Sequence, residues 1–381
     1  AKERRNVVLS QMVKAGYMDR AEYQNYSSEP LTLNFHRTDH KDGTATYLRE
    51  FLRQYMMAKR PVRTDYPSWN NVQFVADSIA WDTDPLYGWC NKNFKKDGSP
   101  YNVYSDGLKV FTTIDSRMQK YAEEAVYQHV ARYLQPAFDK ENKPKPSSPY
   151  SDKLTPQQIR NILNRSITQS ERWRTMKAAG CTPEEIKEAF RKKIEMTVFT
   201  YHGDIDTLMS PLDSIRYYKG FLRSGFMSMD PKTGAVKAYV GGLDYPHFMY
   251  DMVSLGRRQV GSTIKPFLYS LAMENGFTPC DYAPNRQQTY IVAGRPWTPR
   301  NVSHARYGQM VPLKWGLAQS NNWISAYLMS KLNPNQFVQI LHDFGIHNPD
   351  IHPSLSLCLG PCEVSVSEMV SAYTVFANHG I

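Results

Sequence analysis

A serine, a lysine three residues later and a distant Ser-x-Asn triplet are the residues of this chain whose types and spacing suit nucleophilic catalysis. Ser262 and Lys265 form the one S-x-x-K tetrad of the sequence. Residues three apart share a helix face, with about 5–6 Å between Cβ atoms, so the amine can reach the hydroxyl. Gly261 permits a tight turn before the serine, and Pro266 is tolerated if a helix begins near it. The pattern predicts Ser262 at a helix N-terminus, as a nucleophile with Lys265 as its base.

The base role requires Lys265 to lose its proton near neutral pH. That is a fall of roughly 3 units from a pKa of about 10.4, or about 4 kcal/mol. Burial can lower a lysine pKa this far, and the apolar run Phe267-Leu268-Tyr269 is compatible with burial. Taken alone, the tetrad has a plainer interpretation, in which Ser262 caps a helix and Lys265 is a solvated lysine of the first turn.

Ser320-Asn321-Asn322 adds a second hydroxyl and a side-chain amide. The Ser320 hydroxyl suits a proton relay between Lys265 and a leaving group, and the Asn322 amide suits a hydrogen bond to Lys265 or to a substrate. A second S-x-N triplet, Ser68-Trp69-Asn70, precedes the nucleophile in a loop-like region. We therefore discount the second triplet.

The elements that must position these residues follow from apolar periodicity and turn residues. KVFTTID (109–115) predicts a strand, and 225–242 predicts a hairpin around Asp-Pro-Lys-Thr-Gly. The helix that begins near Ser116 should place one face on a sheet, and this face comprises Met118, Tyr121, Ala122, Ala125, Val126 and Tyr133. Helices are predicted after Ser262, over 311–332 and over 367–380, the last closed by Gly380.

The remaining segments flank or interrupt that framework. Residues 1–27 predict two short helices, the second capped by Asp19. Residues 31–106 are a polar, aromatic linker region containing a helix over 44–59. Residues 135–220 form an insertion, which includes a Pro- and Lys-rich loop at 140–152 and a helical pair with a capping box from Thr182 to Glu185.

Composition limits the class of protein. Lys and Arg outnumber Asp and Glu by 46 to 36, a net charge of +10, which favours anionic partners without choosing among them. The sequence lacks the roughly 20 consecutive apolar residues of a membrane-spanning helix and the apolar core of a secretory signal, so we expect a soluble chain. Five cysteines without a C-x-x-C pair predict neither a disulfide framework nor a zinc site, and Cys358 and Cys362 are expected to be small buried residues.

Two binding functions are disfavoured by the same kind of argument. His36 and His40 lie in a polar loop, and His342, His347 and His352 recur every five residues, which does not hold one helix face; we predict no metal and no cofactor. The basic helical pair at 165–193 has the outline of a helix-turn-helix DNA reader. Its glutamates, Glu184, Glu185 and Glu188, would repel phosphates. We therefore predict no nucleic-acid partner.

Several blocks together closely resemble the transpeptidase part of class A penicillin-binding proteins. They are GLKVFTTIDSRMQKYAEEAV, DPKTGAVKAYVGG, RRQVGSTIKPFLYSLAMENGFTPC, WTPRNV, GQMVPLKWGLAQSNN and PSLSLCLGPCEVSVSEMVSAYTVFANHG. The opening ERRNVVLSQMVKAGYMDRAEY looks like the last helices of the glycosyltransferase domain of those proteins. The resemblance spans about 107–381, apart from the insertion, and is far more specific than any one motif.

The resemblance implies an α+β fold of the serine β-lactamase and transpeptidase type, in which helices flank a five-stranded antiparallel sheet. It implies a D-Ala-D-Ala transpeptidase that cross-links peptidoglycan stem peptides through a serine acyl-enzyme and is acylated by β-lactam antibiotics. Ser262 would be the nucleophile, Lys265 its base, and Ser320 and Asn322 the second motif. The parent protein would be anchored in the cytoplasmic membrane by a segment upstream and would act on its periplasmic face.

The implied domains are a glycosyltransferase remnant at 1–30, a linker region at 31–106, the first part of the transpeptidase at 107–220, and its core at 221–381. The third family motif, Lys-Thr/Ser-Gly on an edge strand, does not occur after Asn322. Lys232-Thr233-Gly234 precedes the nucleophile in a predicted turn, so we interpret it as a coincidence. We therefore expect the chain to stop short of the third motif, and one lost oxyanion-hole donor costs about 3–4 kcal/mol.

Two other functions remain open at this stage. A serine D,D-carboxypeptidase or β-lactamase would use the same tetrad but would release the acyl group to water. A non-catalytic cell-wall scaffold would keep the fold without the chemistry.

Overall fold

The computed structural model describes residues 2–31, 43–68 and 70–380, and the chain divides into two units, 1–42 and 43–381. The smaller unit holds α1 (Lys2–Lys14) and α2 (Arg20–Ser28). Asp19 caps α2 through a reciprocal pair of hydrogen bonds with Glu22, as the predicted cap requires. Arg5 of α1 donates to the carbonyl of Ser27, which fastens the two helices to each other. His36 and His40 lie outside the described residues, as does Trp69.

The larger unit mixes helices with short antiparallel strands, which confirms the predicted α+β class. Its helices are α3 (Thr46–Met56), α4 (Asn71–Thr83), α5 (Trp89–Lys92), α6 (Ser116–His129), α7 (Gln135–Asn142), α8 (Pro156–Gln169), α9 (Glu171–Ala178), α10 (Pro183–Arg191), α11 (Pro211–Lys219), α12 (Lys265–Glu274), α13 (Leu313–Ala318), α14 (Asn322–Met329), α15 (Pro334–Asp343) and α16 (Val366–Ala377). Its strands are β1 (Ile194–Val198), β2 (Ile205–Met209), β3 (Phe226–Met229), β4 (Val236–Val240), β5 (Arg257–Gln259), β6 (Tyr282–Pro284), β7 (Tyr290–Val292), β8 (Arg295–Trp297), β9 (Met310–Pro312) and β10 (Glu363–Ser365).

The predicted hairpin at 225–242 forms as β3 and β4, with Phe226 opposite Val240 and Ser228 opposite Ala238. The other pairs in the described part of the chain are β1–β2, β5–β10, β6–β9 and β7–β8, all antiparallel. Among the described residues, the strands therefore form five separate two-stranded sheets.

Helix α6 packs on β4 through part of the predicted face, since Ala122 and Val126 cluster with Ala238 and Val240. Met118, Tyr121 and Tyr133 are exposed, whereas Gln119 is fully buried. The Gln119 amide donates to the carbonyl of Tyr239 and accepts from its N–H. The Gln119 amide thus satisfies the backbone groups of β4 that a neighbouring strand would otherwise satisfy. The apolar pattern predicted that this position faces solvent.

The strand predicted over 109–115 is wrong in this structure. The segment runs beside β4 through two hydrogen bonds, from Thr113 Oγ1 to Val236 O and from Asp115 N to Lys237 O, without a regular ladder. Phe111 is 93% exposed, and no described residue covers it. The alternation of apolar residues in this segment therefore does not mark the buried face of a strand. Asp115 nevertheless caps α6, and the predicted helix start is confirmed.

The insertion is more elaborate than the predicted helical pair. Three helices, α8 to α10, are followed by the β1–β2 hairpin, which the sequence reasoning missed, and by α11. Thr182 and Glu185 form the predicted capping box at the start of α10.

The main core surrounds α12 and α14. Phe267, Leu268, Ile324 and Leu328 are each 0% exposed and pack in one cluster with Phe337 of α15. The helix predicted over 311–332 is broken into α13 and α14 at residues 319–321. This break brings the Ser-x-Asn triplet to the N-terminal end of α12, where Lys265 lies.

Candidate active site

Ser262 lies in a 3₁₀ turn, Gly261–Ile264, that leads directly into α12. Gly261 has φ +56°, a left-handed conformation that glycine adopts at little cost, and Pro266 lies in the first turn of α12. The Ser262 side chain is exposed. The local sequence thus places an accessible hydroxyl at the start of a buried helix, as predicted.

A second glycine holds this turn from behind. Gly360, with φ +65°, accepts a hydrogen bond from Gly261 N at 3.0 Å, and Val260 N donates to Cys362 O at 3.0 Å. A Cβ on Gly360 would lie 2.2 Å from the carbonyl oxygen of Gly261. The close approach of two backbones therefore requires glycine at 360, which sequence reasoning did not identify.

Lys265 is the first residue of α12 and is 1% exposed. Its ammonium group donates to Ser320 O at 2.6 Å, to Asn322 Oδ1 at 2.7 Å and to Ser320 Oγ at 3.1 Å. An ammonium group has three protons to donate, so these acceptors saturate it. Across the described residues, no hydrogen bond joins Lys265 Nζ to Ser262 Oγ.

Burial lowers the pKa of Lys265 from 10.5 to about 8. The neighbouring Cys358 thiol does not act as a counter-charge, since burial raises its pKa to about 12 and keeps it protonated at neutral pH. No carboxylate of the described residues forms an ion pair with the amine. Oxygen dipoles alone therefore compensate the buried charge, and a neutral amine is accessible near physiological pH.

The turn between α13 and α14 orients the acceptors of Lys265. Ser320 has φ +48°, a left-handed conformation that is uncommon for a residue with a side chain. This conformation directs both Ser320 O and Ser320 Oγ to the same amine. Strain of this kind persists when the surroundings determine it, and it concentrates at functional sites.

Neighbouring asparagines, none of them predicted as site residues, hold that turn. Asn321 Oδ1 caps α14 by accepting from Trp323 N and Ile324 N, while Asn321 Nδ2 donates to Asn285 Oδ1 at 2.8 Å. Asn285 is 0% exposed. The turn is thus fastened to a buried residue contributed by a different part of the chain.

The amide of Asn322 is oriented by the segment at 299–301. Asn322 Nδ2 donates to Arg300 O at 2.8 Å, and Asn322 N donates to Asn301 Oδ1 at 3.0 Å. Because the amide nitrogen is engaged by a carbonyl, Oδ1 is the atom that faces Lys265. Both partners belong to the block WTPRNV, which is one of the blocks that resemble the family. That resemblance is the sequence signal that could have identified them.

The four predicted residues therefore come together in part. Lys265, Ser320 and Asn322 are linked by hydrogen bonds. Ser262 lies three residues before Lys265, and its hydroxyl has no hydrogen-bond partner among the residues that the structure describes. The Lys232-Thr233-Gly234 tripeptide lies elsewhere, in the turn between β3 and β4, where Asp230 Oδ1 accepts from Lys232 N and Thr233 N.

No group of three or more His, Cys, Asp and Glu residues in the described part of the chain is placed to hold a metal ion. No described helix combines the length and apolarity needed to cross a membrane. All five cysteines are free, with Cys358 buried and Cys362 partly buried.

Comparison with known families gives two adjacent matches. Residues 145–222 match the penicillin-binding protein middle domain, and residues 224–381 match the penicillin binding protein transpeptidase domain. The second match contains the whole hydrogen-bonded cluster around Lys265.

Individual proteins agree with these matches. Penicillin-binding protein 1A of Pseudomonas aeruginosa is 26% identical over 99% of this chain and 44% of the relative, and that of Escherichia coli K12 is 26% identical over 99% and 43%. A crystal structure of penicillin-binding protein 1A from Haemophilus influenzae superimposes with a TM-score of 0.54 at 22% identity, over 98% of this chain and 52% of that one. The chain thus spans less than half the length of these two relatives, and the solved structure supports the fold.

Proposed function

The chain belongs to the penicillin-binding protein family, and from this premise we propose that its larger unit carries a peptidoglycan D,D-transpeptidase site with Ser262 as nucleophile. The observation that carries the proposal is the buried amine of Lys265, which has a pKa of about 8 and lies one helical turn from an exposed serine. A lysine that is neutral in part of the molecules near neutral pH is a competent general base.

In the proposed reaction, the neutral amine takes the proton of Ser262 while Oγ bonds to the carbonyl carbon of the penultimate D-alanine of a stem peptide. The bond to the terminal D-alanine breaks, and the departing nitrogen takes that proton from Lys265 through the hydroxyl of Ser320, which lies 3.1 Å from Nζ. The amine of a second stem peptide then bonds to the ester carbon and gives a proton to Lys265, while the bond from that carbon to Ser262 Oγ breaks and Oγ takes the proton back from Lys265. A β-lactam follows the first step, but its ring opens and no group departs.

Asn322 has a positioning role in this scheme. Its Oδ1 accepts a hydrogen bond from Lys265 Nζ at 2.7 Å, and Ser320 O accepts another at 2.6 Å. A neutral amine has two protons and one lone pair, so two short hydrogen bonds leave the lone pair for a hydroxyl. The arrangement supports a path from Ser262 to Lys265, directly or by way of Ser320.

The wider assignments are part of the same proposal. Residues 1–30 would belong to the end of a glycosyltransferase domain, and the parent protein would work at the periplasmic face of the cytoplasmic membrane. Stem peptides and β-lactam antibiotics would be its ligands. The alignment to the Pseudomonas aeruginosa relative supports these assignments, since it extends over 99% of the chain.

The direct test is covalent labelling with a fluorescent penicillin. Wild type should give a labelled band that survives denaturation, and Ser262→Ala should give none. The assay uses the protein at its natural length. Equal labelling of both proteins, or no labelling of wild type, would contradict the proposal.

The lifetime of the label separates transfer from hydrolysis. A β-lactamase with a typical kcat of about 10 per second would release the acyl group in about 0.1 s. A transpeptidase should keep the acyl group for much longer. Loss of the label within seconds would favour the hydrolase alternative.

A further inference from the structure

The inserted segment contains a cavity of about 780 Å³ between α8 and α10, which we call the trough. Both helices pack on α11 and on α9, so the trough has two helical walls, a floor and one closed end. Its apolar lining consists of Leu163, Ile167, Trp173, Ile186, Phe190 and Leu212. This site is separate from the cluster around Lys265, and nothing in the proposed transpeptidase reaction uses it.

The two walls present regular helix faces to the trough. On α8, the lining residues begin at Arg160 and include Leu163 and Ile167, a spacing of three and four residues. On α10, Ile186 and Phe190 lie four apart, both buried. Such stripes normally pack against another helix. Leu163, like Ile186 and Phe190, is buried, whereas Ile167, Trp173 and Leu212 remain partly exposed in the trough.

Four cations surround this apolar lining, and no acidic residue is among the lining residues. Arg160 lies on the α8 wall, Lys187 and Arg191 lie on the α10 wall, and Lys177 lies on α9 over the Trp173 ring at 4.7 Å. All four side chains are exposed, and none forms an ion pair within the described ranges. Every charged side chain among the lining residues is therefore positive.

We propose that the trough binds an amphipathic acidic helix of a partner protein. A helix with apolar residues at i, i+3, i+4 and i+7 would fill the space between the two stripes. Carboxylates on both flanks of that helix would meet Arg160 on one wall and Lys187 and Arg191 on the other.

Charge and shape favour this occupant over other anions. A phosphate or a nucleic acid has no apolar surface to cover the apolar lining and would leave it in water. A lipid headgroup suits cations gathered at one point, whereas these cations are distributed over both walls and the closed end. An apolar stripe bordered by carboxylates matches the whole lining.

The test uses a fluorescently labelled peptide of about 14 residues, roughly four helical turns, with leucines at i, i+3, i+4 and i+7 and glutamates on both flanks. Fluorescence anisotropy should show saturable binding to the full chain. A peptide of the same composition in scrambled order, and one with lysine in place of glutamate, should bind at least about tenfold more weakly. Equal binding of the scrambled peptide, or no binding of the first, would overturn the proposal.

A pair of variants locates the binding. Lys187→Glu with Arg191→Glu reverses two trough charges and should weaken binding by about tenfold or more. Lys192→Glu with Lys193→Glu makes the same change in net charge at exposed residues that do not line the trough, and should change the affinity by less than about twofold. Equal losses in the two variants would overturn the proposal, because they would indicate attraction by net charge alone.

Vesicles of phosphatidylglycerol and phosphatidylcholine test the lipid alternative. Cosedimentation with these vesicles should be the same for the trough variant and the control variant. If the trough variant alone loses vesicle binding while the peptide fails to bind, the trough is a lipid site and the proposal is wrong. Penicillin labelling reports separately on Ser262, so either proposal can fail without the other.

Discussion

Lys265 and Lys187 are the same side chain in opposite surroundings. Lys265 is 1% exposed and donates hydrogen bonds to three oxygens within 3.1 Å. Lys187 stands at the edge of the trough, exposed and without an ion-pair partner among the described residues. Burial lowers the pKa of Lys265 to about 8, which makes it available as a base. Lys187 is exposed and lies where it can attract an anion, so environment rather than residue type separates the two sites.

Removing the amine should give the largest effect. Lys265→Met retains length and apolar character but cannot accept a proton, so we expect the rate of penicillin acylation to fall by about 10³-fold. Lys314→Met removes an exposed lysine of α13 and serves as the matched control, with an unchanged rate. Stopped-flow or gel-based labelling measures both rates. A loss of less than about threefold in Lys265→Met would mean that another group is the base.

Changing the partner of the amine should give the next largest effect. Asn322→Asp places a carboxylate where Oδ1 now accepts from Lys265 at 2.7 Å. An adjacent negative charge raises a lysine pKa, typically by 1 unit or more, so about tenfold fewer molecules hold the neutral amine at pH 7. The acylation profile should shift to higher pH. Asn333→Asp, at the cap of α15, provides a control that should leave the profile in place.

The free energy of unfolding distinguishes two effects of a side chain at residue 360, the clash with the Gly261 backbone and the strain of a positive φ. Gly360→Ala introduces a Cβ 2.2 Å from Gly261 O at φ +65° and should lower the free energy of unfolding by about 3 kcal/mol or more. Gly294→Ala has a similar φ, +75°, with no atom within 4 Å of the added Cβ, so only the backbone strain of about 1–2 kcal/mol remains. Chemical denaturation compares the two, and equal losses would show that the contact with Gly261 is unimportant.

The smallest effect is expected at the trough. Arg191→Met removes an exposed charge without an ion pair in the described structure, and surface changes of this kind stay within about 0.5 kcal/mol of wild-type stability. Thermal unfolding is the measurement. A loss above about 1 kcal/mol would show that the trough cations stabilise the fold itself, which would remove the contrast with Lys265.

Candidate site residues could be predicted from the sequence, but the residues that support them could not. Ser262, Lys265, Ser320 and Asn322 were proposed from residue types and family blocks, and the structure links the last three by hydrogen bonds. Gly360 and Asn285 were missed because their roles depend on contacts with residues far along the chain. A single sequence contains no direct signal for such contacts.

Errors in the predicted elements have the same origin. Apolar periodicity placed Gln119 on the outer face of α6, but its amide is bonded to both backbone groups of Tyr239. The pattern over 311–332 is helical throughout, yet the chain breaks at Ser320, where tertiary hydrogen bonds to Lys265 support a left-handed residue. Tertiary contacts overrode local propensity in both cases.

The pH dependence of protein stability should also report on Lys265. Its folded pKa, about 8, lies below the ordinary 10.5, so the unfolded chain binds more protons between these two values. The contribution of this residue is therefore least favourable below pH 8 and improves as the pH rises towards 10.5. Lys265→Met should lack this rise, as denaturation curves at several pH values can show.

The rate of Ser262 acylation by a fluorescent penicillin, measured against pH, tests the central claim most directly. If Lys265 is the base, the rate should increase as the pH rises, with a midpoint of about 8, and should level off above it. A rate that is flat across this range in wild type, or the same profile in Lys265→Met, would contradict the account.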